Sequence, residues 1–344
     1  MKKLFVWAAL CIVFLFALSA FDPVASVRVY WETLQGQETP ADPIARATIA
    51  PIDPLAREDQ TDPVRVTLYF RYGSTSYLGQ EAYEISVPRD STMEKAIVSA
   101  LLAGPDGRHS ELSSVFPEGT RVLATTREDD TVTVTLNHAF LNAPAGAPER
   151  WQEDDDWAQE VPLRRRLALE SIVLALTEDA RCHSVQLLVS ADDTAEQGAR
   201  VARSYFYPME SDTTVALEPV TRSESYIFTP RTAALSVLLM WQAKDYSSLY
   251  GMLGMNPYTD TAQMPSLDEF VQDAAQSSCS LLSFNVSGGS VSPEGMRATV
   301  VIDLQCAGAD GERVRMTAMP LSLFRENDNW KVSYGDIAAL MERK

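Results

Sequence analysis

Residues 101–123 read LLAGPDGRHSELSSVFPEGTRVL. The stretch holds three glycines, two prolines and one of the chain's three histidines. Such a composition suits either a loop that carries chemistry or the punctuation between two elements. The left flank decides between them. In DSTMEKAIVSALLAGP, residues 90–105, Met93, Ile97, Ala100 and Leu101 fall on one helical face. Ser91 and Glu94 have the spacing of a capping box. Gly104 is placed to take the left-handed conformation at the helix end, and Pro105 forbids continuation. Residues 117–119 then form a turn ahead of a strand at 122–126. The phosphate-loop alternative fails on chemistry: no GxxxxGK[ST] is present, and Asp106 and Glu111 would repel a phosphate. His109 lies between Arg108 and Ser110 with no nucleophile in a recognised arrangement. The stretch is read as architecture.

Working outward, RVTLYFR at 65–71 alternates apolar and polar residues, a strand pattern. Residues 84–87 offer a second strand, and 122–126 and 132–136 two more across a polar turn. A helix is predicted over 163–178, with Leu169, Ile172, Val173 and Leu176 as its stripe. A buried strand at 185–189 closes the unit. The ordered set LLAGP, SSVFPEGTRVL, VTVTLNHAF, LALTE and VQLLV resembles the GerMN domain of sporulation and spore-germination proteins, over about residues 62–209. Two positions depart from the family pattern. Thr135 stands where an acidic residue is often found, and the last strand runs into Ser190, Ala191 and Asp192 rather than Asp-Gly. The resemblance implies a compact α/β module outside the cytoplasmic membrane, used for protein–protein assembly rather than catalysis. It also implies envelope or sporulation-complex proteins of sporulating Firmicutes as partners. Related modules occur in actinobacterial lipoproteins that touch sensor kinases.

One insertion stands out: ERWQEDDDWAQE, residues 149–160, with Trp151 and Trp157 around an acidic run. Three readings stay open: a solvated loop whose tryptophans cap a hydrophobic edge, a protein-contact loop, since exposed Trp is favoured at hot spots, and a weak metal site. Consecutive carboxylates do not converge as an EF-hand spacing would, and no metal is assigned.

Residues 210–229 read as a linker. A strong amphipathic helix follows at 232–254, then a second capped by Ser266 with Glu269 three residues on. Strand candidates come at 280–286, 297–304, 314–324 and 329–334, and a terminal helical turn at 336–341. Helices first and an antiparallel sheet after give an α+β unit. Residues 230–344 resemble the nuclear-transport-factor-like cone fold, with LFRENDNWKVSYGDI as its final hairpin and Trp330 pointing inward. The expected fold class is therefore α+β: an N-terminal α/β GerMN-like sandwich, then a cone with a curved antiparallel sheet. All three histidines lie in the first domain, so the Asp–His pair of a cone-fold enzyme is missing. If residues 292–295 form a hairpin turn, Cys279 and Cys306 fall nearly opposite each other. A disulfide between them and a pair of buried thiols are both open, with Cys182 left over.

The chain has 344 residues, room for two ordinary domains, and 46% hydrophobic content. Its net charge of −18 makes nucleic-acid binding improbable. At the N-terminus Lys2 and Lys3 precede an uncharged apolar run, residues 4–21. It is either a cleaved signal peptide or an uncleaved anchor at the lower limit for spanning. Both put the rest of the chain outside the cytoplasm, with membrane contact through this segment only. Cys11 lies mid-run behind Leu10 and is not a convincing lipidation site. Residues 23–61 are a proline-rich tether with a reach of roughly 35 Å. No GxSxG, HExxH, metal-spaced Cys/His cluster or glycine-rich cofactor loop is present, so no enzyme and no cofactor is expected. The expected function is non-catalytic envelope assembly. The alternative is capture of a cell-wall fragment or small molecule inside the cone, and the state of the cone interior separates the two.

Overall fold

The computed structural model describes residues 63–192, 197–209, 212, 214–259, 263–308 and 312–342. The signal or anchor segment 1–22 and the whole of the tether 23–61 therefore lie outside the described residues, as does Cys11.

The first unit opens with β1 (Val64–Tyr72) and β2 (Leu78–Ile85), an antiparallel pair. Helix α1 (Met93–Ala103) follows, then the short β3 (Leu112–Ser113), which pairs with the end of β1. Next come β4 (Val122–Glu128) and β5 (Thr131–Leu136), joined by a tight turn in which Asp129 has φ 51°. Helix α2 (Asp155–Leu176) crosses over to β6 (Ser184–Val189), which pairs parallel with β5. That is the connection a parallel pair requires. The short β7 (Ala199–Arg200) and β8 (Val220–Thr221) pair with opposite ends of β6. Helix α2 packs against β1, β6 and α1. Every residue from Leu167 to Leu176 is consequently buried. A helix enclosed on all sides reads apolar all round, so the stripe in LALESIVLAL is broader than one face.

The second unit holds α3 (Pro230–Ala243), α4 (Tyr246–Met252), the two-residue β9 (Leu253–Gly254) and α5 (Leu267–Ala275). Then come β10 (Ser280–Val291), β11 (Arg297–Ala307), β12 (Arg313–Glu326), β13 (Asn329–Ser333) and α6 (Tyr334–Met341). The sheet order is β10-β11-β12-β13-β9, antiparallel except for the β13–β9 pair. Helix α3 packs on β10, β11 and β13. The interior is filled: Leu238, Trp241, Leu249, Phe270, Ile302 and Leu321 are all buried. Trp330 is buried as well, as its place in the final hairpin predicts. The mixture of helices packed on open sheets is α+β.

Several local expectations are corrected. The second strand is 78–85, not 84–87, because the β1 register pairs Leu78 with Arg71 and stops at Ile85. Thr92, not Ser91, caps α1: its side chain accepts from Lys95 N, while Ser91 N is used in a turn to Pro88 O. Helix α2 starts eight residues before the predicted 163. Pro162 lies inside it, and an internal proline argues against a helix on sequence, yet Asp154 caps the start by accepting from Asp156 N and Trp157 N. The single helix over 232–254 is two. Lys244 turns left-handed with φ 59°, and Asp245 caps α4. The capping box of Ser266 and Glu269 forms as expected.

The segment read as linker builds the seam between the units. Ile227 bridges Leu78, and Phe228 N donates to Leu78 O at 2.8 Å. The Phe228 ring stacks on Tyr72 with centroids 4.1 Å apart. From the other side, the Asn329 side-chain Oδ1 accepts from Gln80 N at 2.9 Å and its Nδ2 donates to Gln80 O at 2.9 Å. The outer edge of β2 is thereby closed by backbone and by one amide side chain, which removes a free strand edge.

Candidate functional site

The 101–123 stretch is built as architecture throughout. Gly104 ends α1 with φ 90°, and Gly119 turns with φ 80°. Asn137 holds that second turn, donating to Gly119 O and accepting from Arg121 N at 2.8 Å. Asp106 N donates to the Glu81 carboxylate at 3.0 Å. Arg108 returns to Asp106 through its guanidinium at 2.7 Å and holds that carboxyl below the usual range. His109 lies between two carboxylates, with Nε2 3.7 Å from Glu81 and Nδ1 3.8 Å from Glu111. Both separations exceed hydrogen-bond length.

Glu81 is buried, and burial pushes its carboxyl above the ordinary value. A group whose folded form holds its proton more tightly than the unfolded chain destabilises the fold once ionised, and that cost vanishes on acidification. Glu81→Gln keeps the acceptor for Asp106 N. The substitution is expected to raise stability at neutral pH, and the gain to shrink toward pH about 4. Denaturant titrations of both proteins across that range check it; a gain that grows on acidification contradicts the assignment.

The insertion resolves into a helix start and a stacked ladder. Trp151 sits in a 3-10 turn and Trp157 in the first turn of α2, and both are half-buried. The acidic residues Glu153, Asp154, Asp155 and Asp156 are exposed. Asp154 caps α2, while Asp155 and Asp156 lie in its first turn, where negative charge suits the helix dipole. Three consecutive arginines stack on aromatic rings. Arg164 covers Trp157 at 5.5 Å, Arg165 covers Trp151 at 5.3 Å and Tyr205 at 4.0 Å, and Arg166 covers Tyr207 at 3.7 Å. Beneath them the buried Arg71 pairs with Glu160, which also takes Arg164 at 2.6 Å. These contacts clamp residues 203–207 and 226 onto α2. The Arg164–Arg166 run went unremarked on sequence; three adjacent cations in a chain of charge −18 were the available signal.

Cys279 and Cys306 are joined by a disulfide with Cα atoms 5.3 Å apart, and both are buried. The β10–β11 hairpin turns at 292–296, with Ser292 N donating to Arg297 O, and so brings them together. Cys182 is a free, buried thiol, raised above its usual pKa by burial. Among the described residues, no group of three or more His, Cys, Asp or Glu side chains is arranged to hold a metal ion. No described helix is long and apolar enough to cross a membrane.

Residues 67–190 match the Germane family, described as sporulation and spore germination. These residues are similar to the Germane (GerMN) domain. The matched span begins within β1 and ends just past β6. Among solved structures, the tandem GerMN domains of the sporulation protein GerM from Bacillus subtilis align at 18% identity with TM-score 0.29. That alignment covers 53% of this chain and 50% of that one, so this chain spans about half the length of the tandem protein. The first GerMN domain of the same protein aligns at 16% identity and TM-score 0.27, over 47% of this chain and 98% of that one. A putative lipoprotein from Clostridium perfringens aligns at 17% identity and TM-score 0.25, over 46% and 88%. No curated protein matches the chain.

Proposed function

We propose that the chain is a non-catalytic envelope protein of sporulation or spore germination. It acts outside the cytoplasm by protein–protein assembly through its GerMN domain. The apolar N-terminal run holds it at the membrane, or releases it if cleaved, and the partners are envelope or sporulation-complex proteins. The family description of residues 67–190 supports the cellular setting. The observation that favours assembly over capture inside the C-terminal unit is its packed interior, where Trp241, Leu249, Phe270 and Ile302 are buried. A unit with a solid interior works through its surface. The exposed acidic face beside Trp151 is the surface we assign to the contact: polar, solvent-facing, and mounted on a helix pinned by stacked arginines.

Crosslinking the tagged full chain in growing and in sporulating cells tests the reading. Envelope or sporulation-complex proteins are expected from sporulating cells, and their yield is expected to fall several-fold in Asp155→Lys/Asp156→Lys. Those two carboxylates are exposed and outside the Asp154 cap. Capture in growing cells of division or wall-synthesis proteins would move the role to general envelope maintenance. Absence of any envelope partner in both samples overturns the assembly reading.

A further inference from the structure

Two residues that line one groove at the seam each carry a buried polar atom without a hydrogen bond: Tyr72 Oη and Glu111 Oε1, the latter 3.8 Å from His109 Nδ1. Buried polar groups are nearly always satisfied, so these two atoms are exceptions. Tyr72 is 1% exposed and lines the junction at which the first unit meets α4 and β13. A groove of about 480 Å³ opens there. Tyr72, Ser110 and Glu111 line it from the GerMN domain; Met252 and Lys331 line it from the C-terminal unit. Domain junctions are a preferred place for small-molecule sites.

The charges of the groove select the ligand. The Lys331 ammonium donates to Gly251 O at 2.7 Å and stands 5.6 Å from the centre of the Tyr72 ring. Its other N–H groups make no hydrogen bond among the described residues. Burial pulls its pKa down, and the carboxylates of Glu111 and Glu326 act on both Lys331 and Tyr72. A simple anion entering here gains Lys331 but meets two carboxylates. A simple cation gains Glu111 but meets the ammonium. A molecule carrying both charges satisfies both. The apolar part of the lining is adaptable, supplied by Met240, Met252, Met264 and Leu253.

We propose that this groove binds a free α-amino acid with an apolar side chain. Its carboxylate lies on Lys331 and the Tyr72 hydroxyl, its ammonium on Glu111, and its side chain against the methionines. Each domain supplies part of the site, so occupancy ties the two units together and raises the stability of the seam. This site adds to the assembly reading and does not rest on it: partner capture and amino-acid binding are read in separate experiments.

The test uses the full chain in detergent micelles, with L-leucine as probe in isothermal titration calorimetry. N-acetyl-leucine lacks the ammonium and 3-methylbutylamine lacks the carboxylate. Leucine is expected to bind saturably at one site, and each truncated probe about tenfold or more weaker. Tyr72→Phe keeps the ring and its stack on Phe228, removes only the hydroxyl, and is expected to weaken leucine about fivefold. Lys331→Met is expected to weaken it more than tenfold. Circular dichroism of both variants is expected to match the parent. No saturable heat with leucine up to about 10 mM overturns the proposal. So do equal affinity for all three probes and leucine affinity unchanged in both variants.

Discussion

Asn329→Ala is expected to lower stability by about 3 kcal/mol and to let the C-terminal unit unfold apart from the GerMN-like unit. Asn329 is buried at the start of β13. The two-residue turn before it, Asn327 at φ 49° and Asp328 at φ 63°, has the primed geometry that suits a tight hairpin. That turn carries the amide to the outer edge of β2, where it meets both backbone groups of Gln80 and also donates to Asn327 O at 3.0 Å. Alanine removes three hydrogen bonds and leaves the Gln80 N–H and C=O without their partner in a covered seam. Each such orphan costs roughly 1–3 kcal/mol. The approach is close: a Cβ on Gly79 would come within 2.6 Å of Asn329 Oδ1 and 2.7 Å of Leu112 Cδ2. Gly79→Val is therefore expected to act in the same direction from the opposite side of the seam. Calorimetry reads both variants. The parent should show one cooperative transition and Asn329→Ala two. A single transition within about 0.5 kcal/mol of the parent's stability would show that the amide is not what couples the units.

The seam also marks where the sequence stopped being legible. The strands of RVTLYFR in β1 and of the paired runs in β4 and β5 announced themselves by apolar and β-branched residues in short runs, although residues 68–72 of β1 are buried on both faces. The stop of α1 at Gly104 was readable because glycine and proline leave the chain few choices. The seam residues carried no such signal. Asn329 looks like a turn residue in ENDNW, and only the fold reveals that its side chain stands in for a strand. Residues 220–228 are polar and aperiodic, which reads as linker, yet their backbone donors and acceptors are used by β6 and β2. Tertiary pairing of this kind leaves no period. The start of α2 was hidden for a different reason: Pro162 speaks against a helix locally, while the cap at Asp154 and the stacked arginines decide in its favour. The candidate groove was invisible for the same reason as the seam. Tyr72, Glu111 and Lys331 are hundreds of residues apart at the extremes and share no motif; only the docking of two units brings them together.

Replacing Cys279 and Cys306 together with alanine is expected to cost about 3.5 kcal/mol, the chain-entropy value for a closed loop of this length. The separation is 27 residues, and the loop holds most of the β10–β11 hairpin. In the unfolded chain the bond forbids most of the conformations that loop could explore, while in the folded chain the two strands are already paired. The main cost of losing it therefore comes through the unfolded state. Denaturant titration should give a lower midpoint for Cys279→Ala/Cys306→Ala, and the reduced parent should coincide with it. A double variant as stable as the oxidised parent would show that the bond adds nothing to the hairpin. The same bond bears on location. Disulfides persist in oxidising compartments and are rare where thiols are kept reduced. Protein taken directly from cells and alkylated without reductant should carry label on Cys182 only after unfolding, and none on Cys279 or Cys306. Label on both hairpin cysteines would mean that the folded domain resides in a reducing compartment, and the extracytoplasmic assembly reading would fall with it.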